Sequence, residues 1–526
     1  MKKLLPILLI ALLFITACSS NRFSINPSGM PTLSTPTPEA YEQYDYTYAE
    51  PIPAPITPVV TPIAADSHLR LSMRQPITLN PLLNEDITVA KILRLIFEPL
   101  VILDENFRPT SHLAELEFAS DFSGARLTIR NDAFWSDGMP ITSDDLIFSI
   151  NILRNAPANA IYRSNVENIA EITRINSRAV QVYFYQPTMC AGKSLNFPII
   201  PQHHYANRPW AETDMNPLGN APFKFESYTP MRNVRLVKNP YGFRSRLSQI
   251  NEVEVIFLPD TQTMLYAFDQ GRIDAIHMPL TEWVRHHSVR QINHEIFPAM
   301  YFEFVGFNFE REIFNNVQIR RGIAHAFNID HIIHSVYLDQ AVRATSPIHP
   351  YSFAAADIPV AEYDPDRARI LLSGIYQPLK IIANADNPQR ISIANNLTAS
   401  LNAIGILATA DILTYEEYLE RIENGDFDLF VGGVNLNFAP DVQFFFNGGF
   451  FMEDTMLEAA WSATRYAFME SLYLQAMTQF QEAFADRLPV ISLAFRHSAM
   501  LTGSRVVQNS TPAPDNAFGW VSYWNR

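Results

Sequence analysis

Leu127-Thr128-Ile129-Arg130-Asn131-Asp132-Ala133-Phe134-Trp135-Ser136-Asp137-Gly138-Met139-Pro140-Ile141-Thr142-Ser143-Asp144-Asp145-Leu146 holds three structural signals in one run. Apolar and polar residues alternate from Ala125 to Arg130, the period of a half-buried strand, which is expected to end near Phe134. Asp137-Gly138 then marks a tight turn, and Pro140 limits the exit. Thr142 or Ser143 follows as a helix cap, with Asp144 and Asp145 at the positive end of the helix dipole and Leu146, Ile150 and Leu153 on one face.

The same grammar extends outward. Leu69-Arg70-Leu71-Ser72-Met73 alternates as a strand, and Val253 to Leu258 reads as a strand buried on most of its surface. A helix from about Thr261 should bury Met264, Leu265 and Phe268 and stop at Gly271, where a left-handed cap suits glycine. Asp364-Pro365 opens another helix, with Ala368, Leu371 and Leu372 as its apolar stripe. Strands and helices alternate without a repeat, so the class is mixed α/β and solenoids and propellers are excluded.

At 526 residues and 48% hydrophobic, the chain has material for several cores. Its net charge of −15 argues against a sequence-independent grip on nucleic acid. The front differs from the rest. Lys2 and Lys3 precede an uncharged run from Leu4 to Ala17, which as a helix would reach about 21 Å against roughly 30 Å of hydrocarbon, so a cleaved export signal is expected rather than a membrane span. Ile15-Thr16-Ala17-Cys18 resembles the bacterial lipobox, which implies cleavage before Cys18 and lipidation of its thiol, with anchoring by more than one acyl chain. Residues 19–66 hold nine of the 37 prolines and read as a semi-extended tether. Cys190 is expected to be a buried, unreactive thiol, and two such differently placed cysteines support neither a disulfide framework nor a thiolate metal site.

Catalytic signatures are absent from the sequence: it has no Gly-x-Ser-x-Gly elbow, His-Glu-x-x-His pair, Walker loop or dinucleotide glycine fingerprint. The pairs His203/His204 and His286/His287, and His331 with His334, lack a third ligand at a useful spacing, so no metal site and no cofactor are expected. A secreted hydrolase would need a catalytic pair that the fold alone could assemble.

The run from Leu127 to Ser149 resembles the signature of the family 5 extracellular solute-binding proteins, the peptide- and nickel-binding components of ABC importers. Further segments match in order: Leu79-Asn80-Pro81-Leu82, Ile96-Phe97-Glu98-Pro99-Leu100-Val101, Asn216 to Phe223, Gly271-Arg272-Ile273-Asp274, Phe307-Asn308, Ile319 to Asn328, Tyr363 to Ala368 and Gly425 to Leu429. Gly322 stands where the family usually has alanine, a change costing about 1 kcal/mol of helix stability. The resemblance implies a two-lobed, periplasmic-binding-protein-like (type II) fold that closes by hinge motion, with the chain crossing near residues 298–306 and 486–493. The implied division is a signal at 1–17, a tether at 18–66, lobe I at 67–297 with an insertion subdomain at about 100–214, lobe II at 298–487 and a return to lobe I at 488–526. It further implies a monomer without enzymatic activity, held on the outer face of the cell membrane, that delivers an oligopeptide or other small polar solute to a membrane permease. An extracellular sensor on the same fold is the alternative.

In the resembled family, an aspartate in a Gly-Trp-x-x-Asp-Tyr-x-Asp-Pro-like segment pairs with the peptide amine. Here Gly433-Val434-Asn435-Leu436-Asn437-Phe438-Ala439-Pro440-Asp441 places Asn437 at that position, an amide that brings no compensating charge. Asn435, Asn437 and Asp441 are therefore candidate ligand contacts. Arg390, in a loop-like stretch after Asn384, is the candidate carboxylate partner. Trp135 is expected to be scaffold.

Overall fold

The turn at Asp137-Gly138 forms as its sequence requires, with Gly138 in the left-handed region at φ 88°. A computed structural model describes residues 67–187, 191–207, 214–245, 249–279, 292–436, 442–448, 451–506, 516–518, 521 and 524. With strands numbered in chain order, β5 (Gly124–Ile129) ends earlier than expected, and the turn beyond it is closed by an isolated bridge from Phe134 to Pro140 and by the Trp135 N–H donating to the Met139 carbonyl at 2.8 Å. The helix Ser143–Arg154 follows, burying Leu146, Ile150 and Leu153. The Asp145 carboxylate ties the unit together: it accepts from the Thr142 N–H at 2.8 Å, the Gln202 N–H at 2.8 Å and Trp135 Nε1 at 3.2 Å. Trp135 is fully buried, which makes it scaffold.

Two sheets share the first core. One runs β1 (His68–Met73), β10 (Glu252–Phe257), β9 (Asn233–Lys238), β8 (Phe223–Thr229), with β1 parallel to β10 although 184 residues separate His68 from Glu252. The other runs β4 (Ala114–Phe118), β5, β7 (Ala179–Phe184), β6 (Ile169–Arg174). On β10, Val253 and Val255 are buried in the first core with Phe257 half-buried on the same face, while Ile256 on the opposite face packs half-buried against a smaller cluster that includes Leu265 and Phe268. The family-like segments meet in space. Gly219 lies against the Ile96 carbonyl, where a side chain would collide, and Asn220 accepts from the Glu98 N–H at 2.8 Å. Glu98 is buried between Arg244 (2.5 Å) and His112 (2.8 Å), and despite the opposing effect of burial these partners hold its carboxyl down at about 2.

The second part is built on one seven-stranded sheet in the order β11 (Ala275–Pro279), β17 (Val490–Gly503), β12 (Ile292–Phe307), β16 (Leu429–Asn435), β14 (Leu379–Asn384), β15 (Ala408–Leu413), with β13 (Ala341–Arg343) also on β17. The long antiparallel pair β12–β17 belongs to both halves. Phe297 and Met500 pack into the first core, whereas Met300, Phe302, Phe304 and Phe495 pack into an aromatic core with Phe430, Phe445 and Phe484. Between them the register slips from Pro298↔His497 to Phe302↔Phe495, a bulge of the kind that bends a strand.

Helix signals hold with small shifts. The helix Thr261–Asp269 buries Leu265 and Phe268, leaves Met264 half-buried and ends before Gly271 at φ 64°. In Pro365–Leu371 the stripe is Ala368 and Leu372, with Leu371 half-buried. Gly322 has a packing reason: a Cβ there would sit 2.8 Å from Leu372 Cγ and 3.1 Å from Leu371 Cβ, so glycine lets two helices approach.

Candidate functional site

In an open α/β sheet, ligand sites form outside the carboxyl ends of the parallel strands. Here β14, β15 and β16 run parallel and end at Asn384, Leu413 and Asn435, on the side where β12 bends. Asn435, a sequence candidate, is exposed at the end of β16 and pairs with Tyr301. Arg390 is not in a loop. Asn387 caps and Pro388 opens the helix Pro388–Ala403, with the Asn387 side chain accepting from the Arg390 N–H at 3.2 Å. Its side chain is buried, and Arg390 Nε lies 3.4 Å from Glu303 Oε2. Its other N–H groups donate to Asn384 Oδ1 at 3.2 Å, the Tyr301 hydroxyl at 3.0 Å and the Gly433 carbonyl at 3.4 Å. Burial opposes the charge of Arg390, but the Glu303 carboxylate together with the nearby Tyr301, Tyr418 and Tyr337 holds the guanidinium above its ordinary range.

The sequence reading missed Glu303 and Arg496. Glu303 sits on β12 opposite Gly433 on one side and Ala494 on the other, wholly buried. Arg496 on β17 brings its Nε to 3.5 Å from Glu303 Oε1, and its guanidinium carbon lies 3.8 Å from the centre of the Tyr301 ring. Gly433 makes the convergence possible, since any Cβ there would overlap Glu303 Oε2 and lie 2.7 Å from Arg390 Nη2. The only local hint was a glutamate inside the apolar run Tyr301 to Phe307, a charge demanding a buried partner.

A second contact joins the halves. The hairpin of β2 (Val101–Leu103) and β3 (Pro109–Ser111) buries Phe107 in the aromatic core, where its ring centre lies 5.1 Å from that of His349. Arg108 meets Glu470 at 2.6 Å and covers the Phe353 ring at 4.2 Å, and Phe353 N–H donates to the Asn106 carbonyl at 2.9 Å.

Cys18, Cys190, Asn437, Asp441 and the pair His286/His287 lie outside the described residues. His203 pairs with Asp137 at 2.8 Å and His334 with Asp339 at 3.0 Å, and no cluster of metal-ligating side chains forms among the described residues. No helix among them is long and apolar enough to cross a membrane.

The sequence profile of the bacterial extracellular solute-binding proteins, family 5 (Middle), matches residues 108–453, well over half of the chain. The chain belongs to this family. A Brucella ovis protein named as a peptide-binding ABC transporter component is 26% identical over 351 residues, 62% of this chain and 65% of that protein. The match thus spans just under two thirds of that relative's length. The oligopeptide-binding protein AppA of Bacillus subtilis is 23% identical over 400 residues, 70% of this chain and 74% of AppA. Its structure with a nonapeptide superposes with a TM-score of 0.66 at 19% identity, covering 87% of this chain and 98% of that one. The substrate-binding protein CtaP of Listeria monocytogenes gives a TM-score of 0.76 at 18% identity, with the same two coverages. These likenesses establish the two-lobed type II binding-protein fold.

Proposed function

We propose that this protein is the lipid-anchored substrate-binding component of an ABC importer, capturing an oligopeptide or a related small polar solute between its lobes and delivering it to a membrane permease without making or breaking bonds. The observation that carries the reading is the β12–β17 ribbon: in a member of a solute-binding family, two separately cored halves are joined by paired strands whose register breaks between them. Lobe I then comprises residues 67–297 and 488–526, lobe II residues 298–487, and the hinge the bulge itself. Closing such a hinge from 1:99 to 99:1 requires about 5.5 kcal/mol of differential binding, within reach of a ligand of micromolar affinity at about −8.2 kcal/mol. Relatives named for peptides support the ligand class.

Native mass spectrometry of gently purified mature protein tests it. A ladder of co-purified peptides supports the reading, whereas a single non-peptide mass, or turnover of any bound compound, overturns it. Cys18→Ser should release the protein from the membrane fraction. Asn437→Asp should tighten peptide binding by restoring an acid for the terminal amine, as judged by calorimetry. Unchanged affinity removes Asn437 from the site.

A further inference from the structure

Two guanidinium groups converge on one carboxylate at the bend of the crossing strands. Arg390 is fully engaged, by Glu303, Asn384, Tyr301 and Gly433. Arg496 is not. Its buried Nε has no hydrogen-bond partner among the described residues, and Glu303 Oε1, the oxygen that faces it, accepts none either. Its side chain keeps 15% of its surface open while lying flat on Tyr301.

The charge does not balance. Among the described residues, Glu303 supplies one negative charge against two permanent positive ones, since a guanidinium does not give up its proton in a protein. Neighbouring histidines add nothing at neutral pH: burial lowers both His497 and His349. Asp386, the nearest acid along the chain from Arg390, is exposed and holds the Asn384 amide. A surplus cation in a largely dehydrated site is costly until an anion joins it.

Its position says where that anion comes from. Arg496 stands on β17 between His497 and Phe495, whose partners on β12 are Pro298 and Phe302, so it faces the bulge of residues 299–301. That bulge adjoins the carboxyl ends of β14 and β16, the side on which ligand binds in such sheets.

The geometry points to Arg496 as the receptor for a carboxylate of the bound solute, with Glu303 and Arg390 as positioning residues that hold Tyr301 and Arg496 in place. The assignment rests on the solute-binding reading above and names the ligand chemistry of that cleft.

The test uses the full mature protein and three peptides in calorimetry: trialanine, with a terminal carboxylate; Ala-Asp-Ala amide, with a side-chain carboxylate alone; and trialaninamide, with neither. Wild type should bind one of the first two at least about tenfold more tightly than the third, the scale of a charge-assisted hydrogen bond. Arg496→Gln should erase that preference, so that all three peptides bind this variant alike. Arg496→Lys should keep part of it, and Glu303→Gln should increase it. Equal affinity for all three in wild type, or a preference that survives Arg496→Gln, overturns the assignment. If no peptide binds, the peptide reading fails on its own, and succinate then decides for Arg496. A rise in melting temperature with succinate over matched chloride, absent in Arg496→Gln, supports the site; no rise in wild type refutes it.

Discussion

His349 should make the protein acid-sensitive in a window where most carboxylates are silent. Its ring is buried, with centroids 5.1 Å from Phe107, 5.1 Å from Tyr351 and 4.6 Å from Phe495. Its Nδ1 accepts from the Tyr351 N–H at 3.1 Å, and its Nε2 has no partner among the described residues. Burial, aided by the neighbouring His497, pushes the imidazole down to about 3. The unfolded chain takes up this proton near pH 6.5, whereas the folded protein resists it until about pH 3, so stability is complete above pH 6.5 and falls as the pH drops through that interval. At 1.36 kcal/mol per unit, acidification to pH 5 costs about 2 kcal/mol through this one group. Carboxylates such as Glu98, held at about 2, contribute little until their unfolded values near 4.5 are reached. Urea unfolding of wild type and His349→Gln at pH 7.5 and 5.0 isolates the effect. The variant should start less stable, having lost ring packing, but lose about 2 kcal/mol less on acidification. Parallel losses in both proteins would refute the claim that His349 is buried in its neutral form.

Gly433→Ala should destabilise by on the order of 2–3 kcal/mol, because the new methyl group overlaps Glu303 Oε2 and crowds Arg390; a lower urea midpoint with an unchanged m-value checks this. Trp135→Phe should cost about 2–4 kcal/mol from the lost volume and one lost hydrogen bond to Asp145, whose same oxygen keeps the Thr142 N–H, with ligand preference intact; altered preference would show that Trp135 does more than support the turn. Arg108→Ala removes a half-exposed ion pair and a cation–π contact, together about 1 kcal/mol, so it should leave stability nearly unchanged while shifting ligand-free protein toward a larger radius of gyration in solution scattering.

Local signals carried most of the fold. The caps at Asp364, the turn at Gly138 and the alternation in β1 and β5 depend on neighbours a few residues away, and they stand as expected. What was not legible depends on distant strands. Nothing near Glu303 announces that Arg390, 87 residues on, and Arg496, still further, will share its carboxylate. Arg390 was legible in part, since Asn387-Pro388 is a helix start; reading it as loop overlooked proline's preference for the first helical turn. The burial of Glu303 was hidden by the usual expectation that charges face water, which holds only for charges without a partner.

The last strand of the sheet has a consequence for biogenesis. β17 begins at Val490, yet it contributes Phe495 to the aromatic core, Ala494 to a second core beside it and Met500 to the core of the first half, and pairs with β11, β12 and β13. Neither half can therefore finish folding until nearly the whole polypeptide has emerged from the export channel. A product cut short before residue 490 would present the open edges of β11 and β12 together with unfilled apolar surface, a ready substrate for envelope proteases. Cells carrying such a truncation should show no stable fragment of either lobe.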